Sequence, residues 1–416
     1  MTLRKKSAAA VMLFQMLLIV SAFLLLSLRD GRFDLFALVF GCALAFYMLL
    51  QYNLLARAFR HFDRFVLLAA QALISIGMII IFRIDTDLAL KQFVFMLVGG
   101  IALVVAIFFI RKSGNFGRWN WLFMVLALGL LLSTLVFGRT VSGAKNWIQF
   151  GPISFQPSEF AKILFIIVSA YFLSTRDKIS AFLPYVGFAA LCIVIQVVAK
   201  DLGSALLLGA TFLILFYSAT GRVWLTLAGL GVFGAGAYAS YHLFSHVCTR
   251  VEVWRDPWSN YSSSGYQIVQ GLLALASGGL LGAGLGNGFP NMIPASATDY
   301  VFTVIGEEFG IIVGVMVIAF YLVFIVRGML IAIDTDNTFD ALLVFGCTAM
   351  LALQSFIIIG GVIKLIPLTG ITLPFVSYGG SSLVSSLVML GIIEGVAIKN
   401  GLRDEKVIRE MGGVIE

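Results

Sequence analysis

The stretch ATDYVFTVIGEEFG, residues 297–310, sets Asp299, Glu307 and Glu308 just before the apolar run IIVGVMVIAFYLVFIV. A carboxylate held where water is scarce gains proton affinity. Such a group can take a proton from a hydroxyl while that hydroxyl attacks an electrophile. Asp299 lies nearest the preceding polar segment, so of the three it is the one expected to meet a substrate. Aspartate also suits a helix N-cap, and the sequence leaves both readings open. Glu307 and Glu308 fall about two turns further along the same helix. There they are expected to shape a polar interior or to pair with a Lys or Arg.

Other polar groups interrupt apolar runs in the same way. VSGAKNWIQFGPISFQPSEFAKI, from Val141, carries Lys145 and Gln149, with Glu159 in the first turn of the next helix. It reads either as an interfacial turn with Trp147 as a belt residue, or as a headgroup site in which Lys145 meets a phosphate. VAKDLGSALLL, from Val198, puts Lys200 beside Asp201 at a helix boundary. The pair either lies in water or borders a polar cavity. DPWSNYSSSGYQIVQGLLALASGGLLGAGLGNG, residues 256–288, offers Tyr266 and Gln267 as hydrogen-bonding groups. Its middle is rich in glycine and short for a span, which suits a re-entrant or interfacial element. KLIPLTGITLPFVSYGGSSLVSSLVMLGI, from Lys364, adds Lys364, Ser377 and Ser381. Pro367 and Pro374 break regular helix there, and broken backbone at membrane depth must line a cavity or be buried in protein. His242, His246 and Cys248 have a spacing compatible with a zinc site or with a helix end at the interface. The metal question stays open, no nucleotide-binding glycine motif occurs, and nothing reads as a nucleic-acid partner.

These groups need elements to hold them, and composition says which. The 416 residues are 60% hydrophobic and 12% charged, with mean hydropathy +1.02. A soluble domain carries about 25% charge, so the excess apolar surface belongs in lipid. Apolar runs of spanning length recur about twelve times, giving an all-α polytopic integral membrane protein. The first run follows Arg4, Lys5 and Lys6 but lacks a convincing cleavage site. Basic residues cluster in alternate connections: Arg57, Arg60 and Arg64; Arg111, Lys112 and Arg118; Arg176 and Lys178; Arg222; Arg327; and the two termini. The positive-inside rule then makes both termini cytoplasmic. The long connection at about 244–302, with the segments near 139–157 and 363–379, falls on the outer face.

The chain resembles the shape, elongation, division and sporulation family, which includes FtsW, RodA and SpoVE. GPISFQPSEFAK, GYQIVQ with its glycine-rich run, TDYVFTVIGEEFG and PLTGITLPFVSYGGSS carry the resemblance, in that order. It implies a core of ten spans over residues 61–400, preceded by an additional N-terminal pair at 1–60 and followed by a cytoplasmic tail at 401–416. It also implies a peptidoglycan glycosyltransferase that polymerises lipid II on the outer face of the bacterial cytoplasmic membrane. Asp299 would be the general base. Lys145, Lys200 or Lys364, or a divalent cation such as Mg2+ or Mn2+, would meet the diphosphate. The implied partners are lipid II, the undecaprenyl-pyrophosphate-linked glycan, membrane lipid and a class B penicillin-binding protein. The alternatives are a lipid II flippase or transporter and a non-catalytic cell-wall scaffold. Two motifs depart from the family: AKDLG stands where QPDLG is usual, and PASATD where PEAHTD or PERHTD is common.

Overall fold

The computed structural model describes residues 2–29, 33–112, 119–141, 144–151, 153–175 and 182–412. Gly143, Pro152, Arg118, Arg176, Lys178 and the end of the tail lie outside them. Among the described residues, eleven helices are long and apolar enough to cross a membrane. They are α1 Thr2–Ser27, α2 Leu35–Ala58, α3 Arg64–Ile84, α4 Thr86–Lys112, α5 Asn120–Phe137, α6 Pro157–Thr175, α8 Leu202–Thr220, α9 Val223–Leu243, α12 Val301–Ile333, α13 Thr338–Val362 and α14 Gly380–Gly412. A shorter apolar helix, α7 Leu183–Val198, completes the set of about twelve expected from the apolar runs. The protein is a multi-pass membrane protein.

The helices start and stop where side chains can satisfy orphan backbone groups. Asp34, Asp63, Asp201 and Asn337 accept from first-turn amides of α2, α3, α8 and α13. Burial then sorts the helices. α3 is buried along nearly its whole length and sits between α1, α4 and α12, whereas no residue of α9 is buried. On the side assigned to the cytoplasm, Arg327 pairs with Asp63, and Glu394 accepts the Asp63 amide proton at 2.8 Å.

The outer connections are built rather than loose. Three strands, β1 Arg139–Val141, β2 Ala144–Phe150 and β3 Ile153–Phe155, form a small antiparallel sheet in the order β1-β2-β3. Alternation along β2 explains it: Asn146 and Ile148 point inward while Gln149 is exposed. The long connection holds two short helices, α10 Ser245–Arg255 and α11 Tyr266–Gly278. With 13 residues, α11 is too short to span, and it lies against α12.

The glycine-rich stretch after α11 repairs a break in α12. Gly310 has φ 78° and ψ 179°, so the helical ladder stops there. The loop supplies the missing partners. Ala283 and Gly284 donate to the carbonyls of Glu307 and Glu308, each at 2.9 Å, and Gly279 accepts from Ile311 at 3.0 Å. A β-carbon on Gly310 would stand 2.3 Å from the Leu280 carbonyl oxygen. Gly310→Ala is therefore expected to cost about 1–3 kcal/mol from backbone strain alone. Gly314→Ala, where the nearest atom would be 3.6 Å away, is expected to be tolerated. Thermal unfolding of the two variants in detergent checks the contrast.

Candidate active site at the outer face

Asp299 occupies a tight turn immediately before α12. Thr298 and Tyr300 both donate their amides to the Ala295 carbonyl at 3.1 Å. A second segment grips this turn from behind. The Ser377 hydroxyl donates to the Thr298 carbonyl at 2.6 Å, and the Tyr378 amide donates to the Ala297 carbonyl at 2.8 Å. Gln92 of α4 fixes that segment in turn. It donates to the Ser377 carbonyl and accepts from the Gly379 amide, each at 3.1 Å. On the loop side, the Gln267 side chain donates to the Pro294 carbonyl at 3.1 Å.

The Asp299 carboxylate faces a bare backbone and a cation. A β-carbon on Gly370 would stand 3.7 Å from Asp299 Oδ2 and 3.5 Å from Arg250 Nη2. Arg250 belongs to α10, and its guanidinium donates to the Thr369 carbonyl at 2.9 Å. Burial pushes the Asp299 carboxyl up to about 6, while the Thr298 hydroxyl and the Arg250 charge pull it down. His246, one turn before Arg250, is held below its ordinary value by burial and by the charges of Arg250 and Lys200. A half-buried carboxyl therefore stands beside an arginine, with a histidine and a lysine in the same electrostatic cluster.

Three of the residues singled out in the sequence thus meet around one turn: Asp299, Ser377 and Gln267. Lys200 is exposed, has a positive φ of 60° and acts on the same electrostatic cluster. Asp201 is buried, caps α8, and accepts from Asn146 of β2 at 2.9 Å. Lys364, also at positive φ, reaches the Arg255 carbonyl at 3.4 Å, and its own carbonyl accepts from Trp254. Tyr266 is half-buried, its ring 5.7 Å from that of Tyr261.

The others stand elsewhere. Lys145 aims its ammonium at the Leu135 carbonyl at the end of α5. Gln149 accepts from Arg139 and donates to the Gly151 carbonyl on the exposed sheet. Ser381 is buried and accepts the Gln156 amide at 3.1 Å. Glu159 is buried with Lys162 at 2.8 Å and Ser385 at 2.8 Å, and Lys162 also reaches Gln354. Gln354 donates to the Thr372 carbonyl at 2.9 Å, which ties this network to the segment behind the Asp299 turn. Glu307 accepts the Phe289 amide at 3.1 Å, and Glu308 pairs with Arg83 at 3.1 Å.

Arg250, His246, Gln92 and Arg83 carry roles the sequence reading did not assign. His246 and Arg250 are four residues apart on a helix, hence on one face. Arg83 sits at the outer end of α3, against the positive-inside pattern. Among the described residues, no group of three or more His, Cys, Asp or Glu side chains gathers as a metal cage. A hard cation here would depend on substrate phosphates for most of its ligands.

The model of the FtsW/RodA/SpoVE family, described as a cell cycle protein, matches residues 58–401. The chain belongs to that family. It is 36% identical over 387 residues to the peptidoglycan glycosyltransferase RodA of Mycobacterium leprae, covering 85% of this chain and 83% of the relative. It is 32% identical over 385 residues to the probable peptidoglycan glycosyltransferase FtsW of Geobacter metallireducens, covering 85% and 99%. The crystal structure of the rod shape determining protein RodA of Thermus thermophilus superposes with TM-score 0.60 at 26% identity, over 81% of this chain and 96% of the other. A chain from a peptidoglycan synthase complex shares the fold at TM-score 0.69 and 24% identity, over 82% and 98%. Similarity to the family thus begins just before α3 and leaves α1 and most of α2 outside it.

Proposed function

We propose that this FtsW/RodA/SpoVE-family protein is an inverting peptidoglycan glycosyltransferase that polymerises lipid II on the outer face of the bacterial cytoplasmic membrane. The observation that carries the reading is the Asp299 turn, clamped by Ser377 and Tyr378 and opening toward Arg250 over Gly370. In the reaction, the C4 hydroxyl of a terminal N-acetylglucosamine attacks the anomeric carbon of the muramic acid unit on the donor glycan. Its proton passes to the Asp299 carboxylate. The bond from that carbon to the diphosphate oxygen breaks, and undecaprenyl pyrophosphate leaves with the electron pair. Attack from the opposite face converts an α-linked donor into a β-linked polymer.

Arg250 is the cation best placed to meet the departing diphosphate, with Lys200 and His246 beside it. A fixed guanidinium suits phosphate geometry and develops its full effect in a site shielded from water. The similarity to the peptidoglycan glycosyltransferase RodA of Mycobacterium leprae supports this substrate class, and one of the solved Thermus thermophilus RodA chains is an aspartate-to-alanine mutant. The partner expected for such an enzyme is a class B penicillin-binding protein, which would crosslink the emerging strand.

The experiment is reconstitution of the purified chain with lipid II, with and without a crosslinking partner, and resolution of glycan strands on a gel. Asp299 must be ionised to act as a base. Its raised affinity for protons means that the polymerisation rate falls as pH drops through about 6 and levels off above. A rate independent of pH between 5 and 7, on the order of one unit either side of that value, would count against Asp299 as the base.

A further inference from the structure

Asp299 ends a strap, residues 286–299, that is anchored at both ends. The far anchor is the Ser377 and Tyr378 clamp already described. The near anchor is Gly286, where three charged side chains converge. The Gly286 amide donates to Glu308 Oε2 at 3.0 Å, and Arg83 donates to the carbonyls of Gly286 and Gly288 at 2.9 and 3.0 Å. The third is Arg29. A β-carbon on Gly286 would stand 3.1 Å from Arg29 Cδ and 3.3 Å from its Nε, so the arginine stem lies flat against a glycine at φ 92°.

Arg29 comes from the turn after α1, outside the segment that matches the family. The hairpin of α1 and α2 is not merely tethered beside the bundle. Gln15 of α1 donates to Ser75 of α3 at 3.1 Å, and Gln71 of α3 donates to Gln51 of α2 at 2.9 Å. Phe23 and Phe40 pack on Phe82, with ring centroids 5.1 and 5.0 Å away, next to Arg83 in the chain. One end of this hairpin therefore packs beside Arg83, which bonds the strap, and carries Arg29, which lies against it.

We propose that the N-terminal hairpin braces the strap carrying Asp299, with Arg29 as its positioning residue. The proposal rests on the polymerase reading only for its kinetic readout. Loss of the brace would let the near end of the strap drift, and a small displacement of a catalytic group is enough to slow a reaction strongly.

The test uses the full chain in lipid nanodiscs with lipid II as substrate. Arg29→Ala is expected to lower kcat roughly tenfold while KM for lipid II and the thermal midpoint hold. Arg29→Lys, which keeps the stem and the charge, is expected to recover much of the rate. Without substrate, amide hydrogen exchange in 284–299 should quicken in Arg29→Ala while α3 and α13 exchange as in the parent. Exchange and turnover equal to the parent would overturn the brace, and so would exchange that rises uniformly through the bundle. If the parent makes no polymer even with a crosslinking partner present, the polymerase reading fails, and the exchange measurement alone decides the brace.

Discussion

Asp299→Asn is expected to abolish glycan polymerisation while leaving the fold intact, the largest kinetic effect of any single change in the chain. Asparagine matches the shape of aspartate but cannot accept the hydroxyl proton. A positioned general base contributes about 10²- to 10⁴-fold, and the loss should be of that order. The turn itself should survive. Its anchors are the backbone carbonyls of Ala295, Ala297 and Thr298, not the carboxylate. Burial already disfavours the ionised carboxylate, so a neutral amide relieves rather than adds strain on the fold. The decisive comparison is strand synthesis by parent and variant, purified identically and matched for thermal midpoint. Equal rates would remove Asp299 from the mechanism. Equal loss from an unfolded variant is guarded against by the midpoint.

The largest effect on stability is expected at Arg83. Its guanidinium and the Glu308 carboxylate are 3.1 Å apart, with side chains 8% and 0% exposed. Removing one partner of a buried pair leaves the other charge without compensation, at about 3–5 kcal/mol. Arg83→Ala also frees the carbonyls of Gly286 and Gly288, so the loop that mends α12 loses its clasp. A companion change sharpens the reading. Glu308→Gln keeps an acceptor for the Gly286 amide and removes the charge. The double variant should therefore lose less than the two single losses added together, because the sites share one network. Thermal unfolding of the four proteins in one detergent measures this coupling, and strict additivity would refute it.

Both predictions concern residues whose types were visible in the sequence but whose company was not. The membrane class and the span count were legible because lipid imposes length and composition on each helix separately. The place of Asp299 at the entrance to α12 was legible too, from its position between a polar connection and an apolar run. The small outer sheet was written in the alternation along β2, although the surrounding proline and glycine favoured reading a turn.

What needed the tertiary structure were contacts between segments far apart in the chain. Arg250 and Gly370 are 120 residues apart, yet they frame the same carboxylate. In the sequence Ser377 was one polar group in a broken segment; folded, its hydroxyl donates to Thr298 and accepts from Leu373, so it holds the Asp299 turn. Glu307 and Glu308 were expected to shape a polar interior or to pair with a Lys or Arg, but the sequence did not say which. They are the posts to which the glycine loop is fastened, with Arg83 supplied by α3. The sequence by itself determined which stretches enter the membrane, because burial in lipid is decided helix by helix. Only the folded bundle decided which charges meet, because in a medium that cannot solvate them each must find its partner across the packing of several helices.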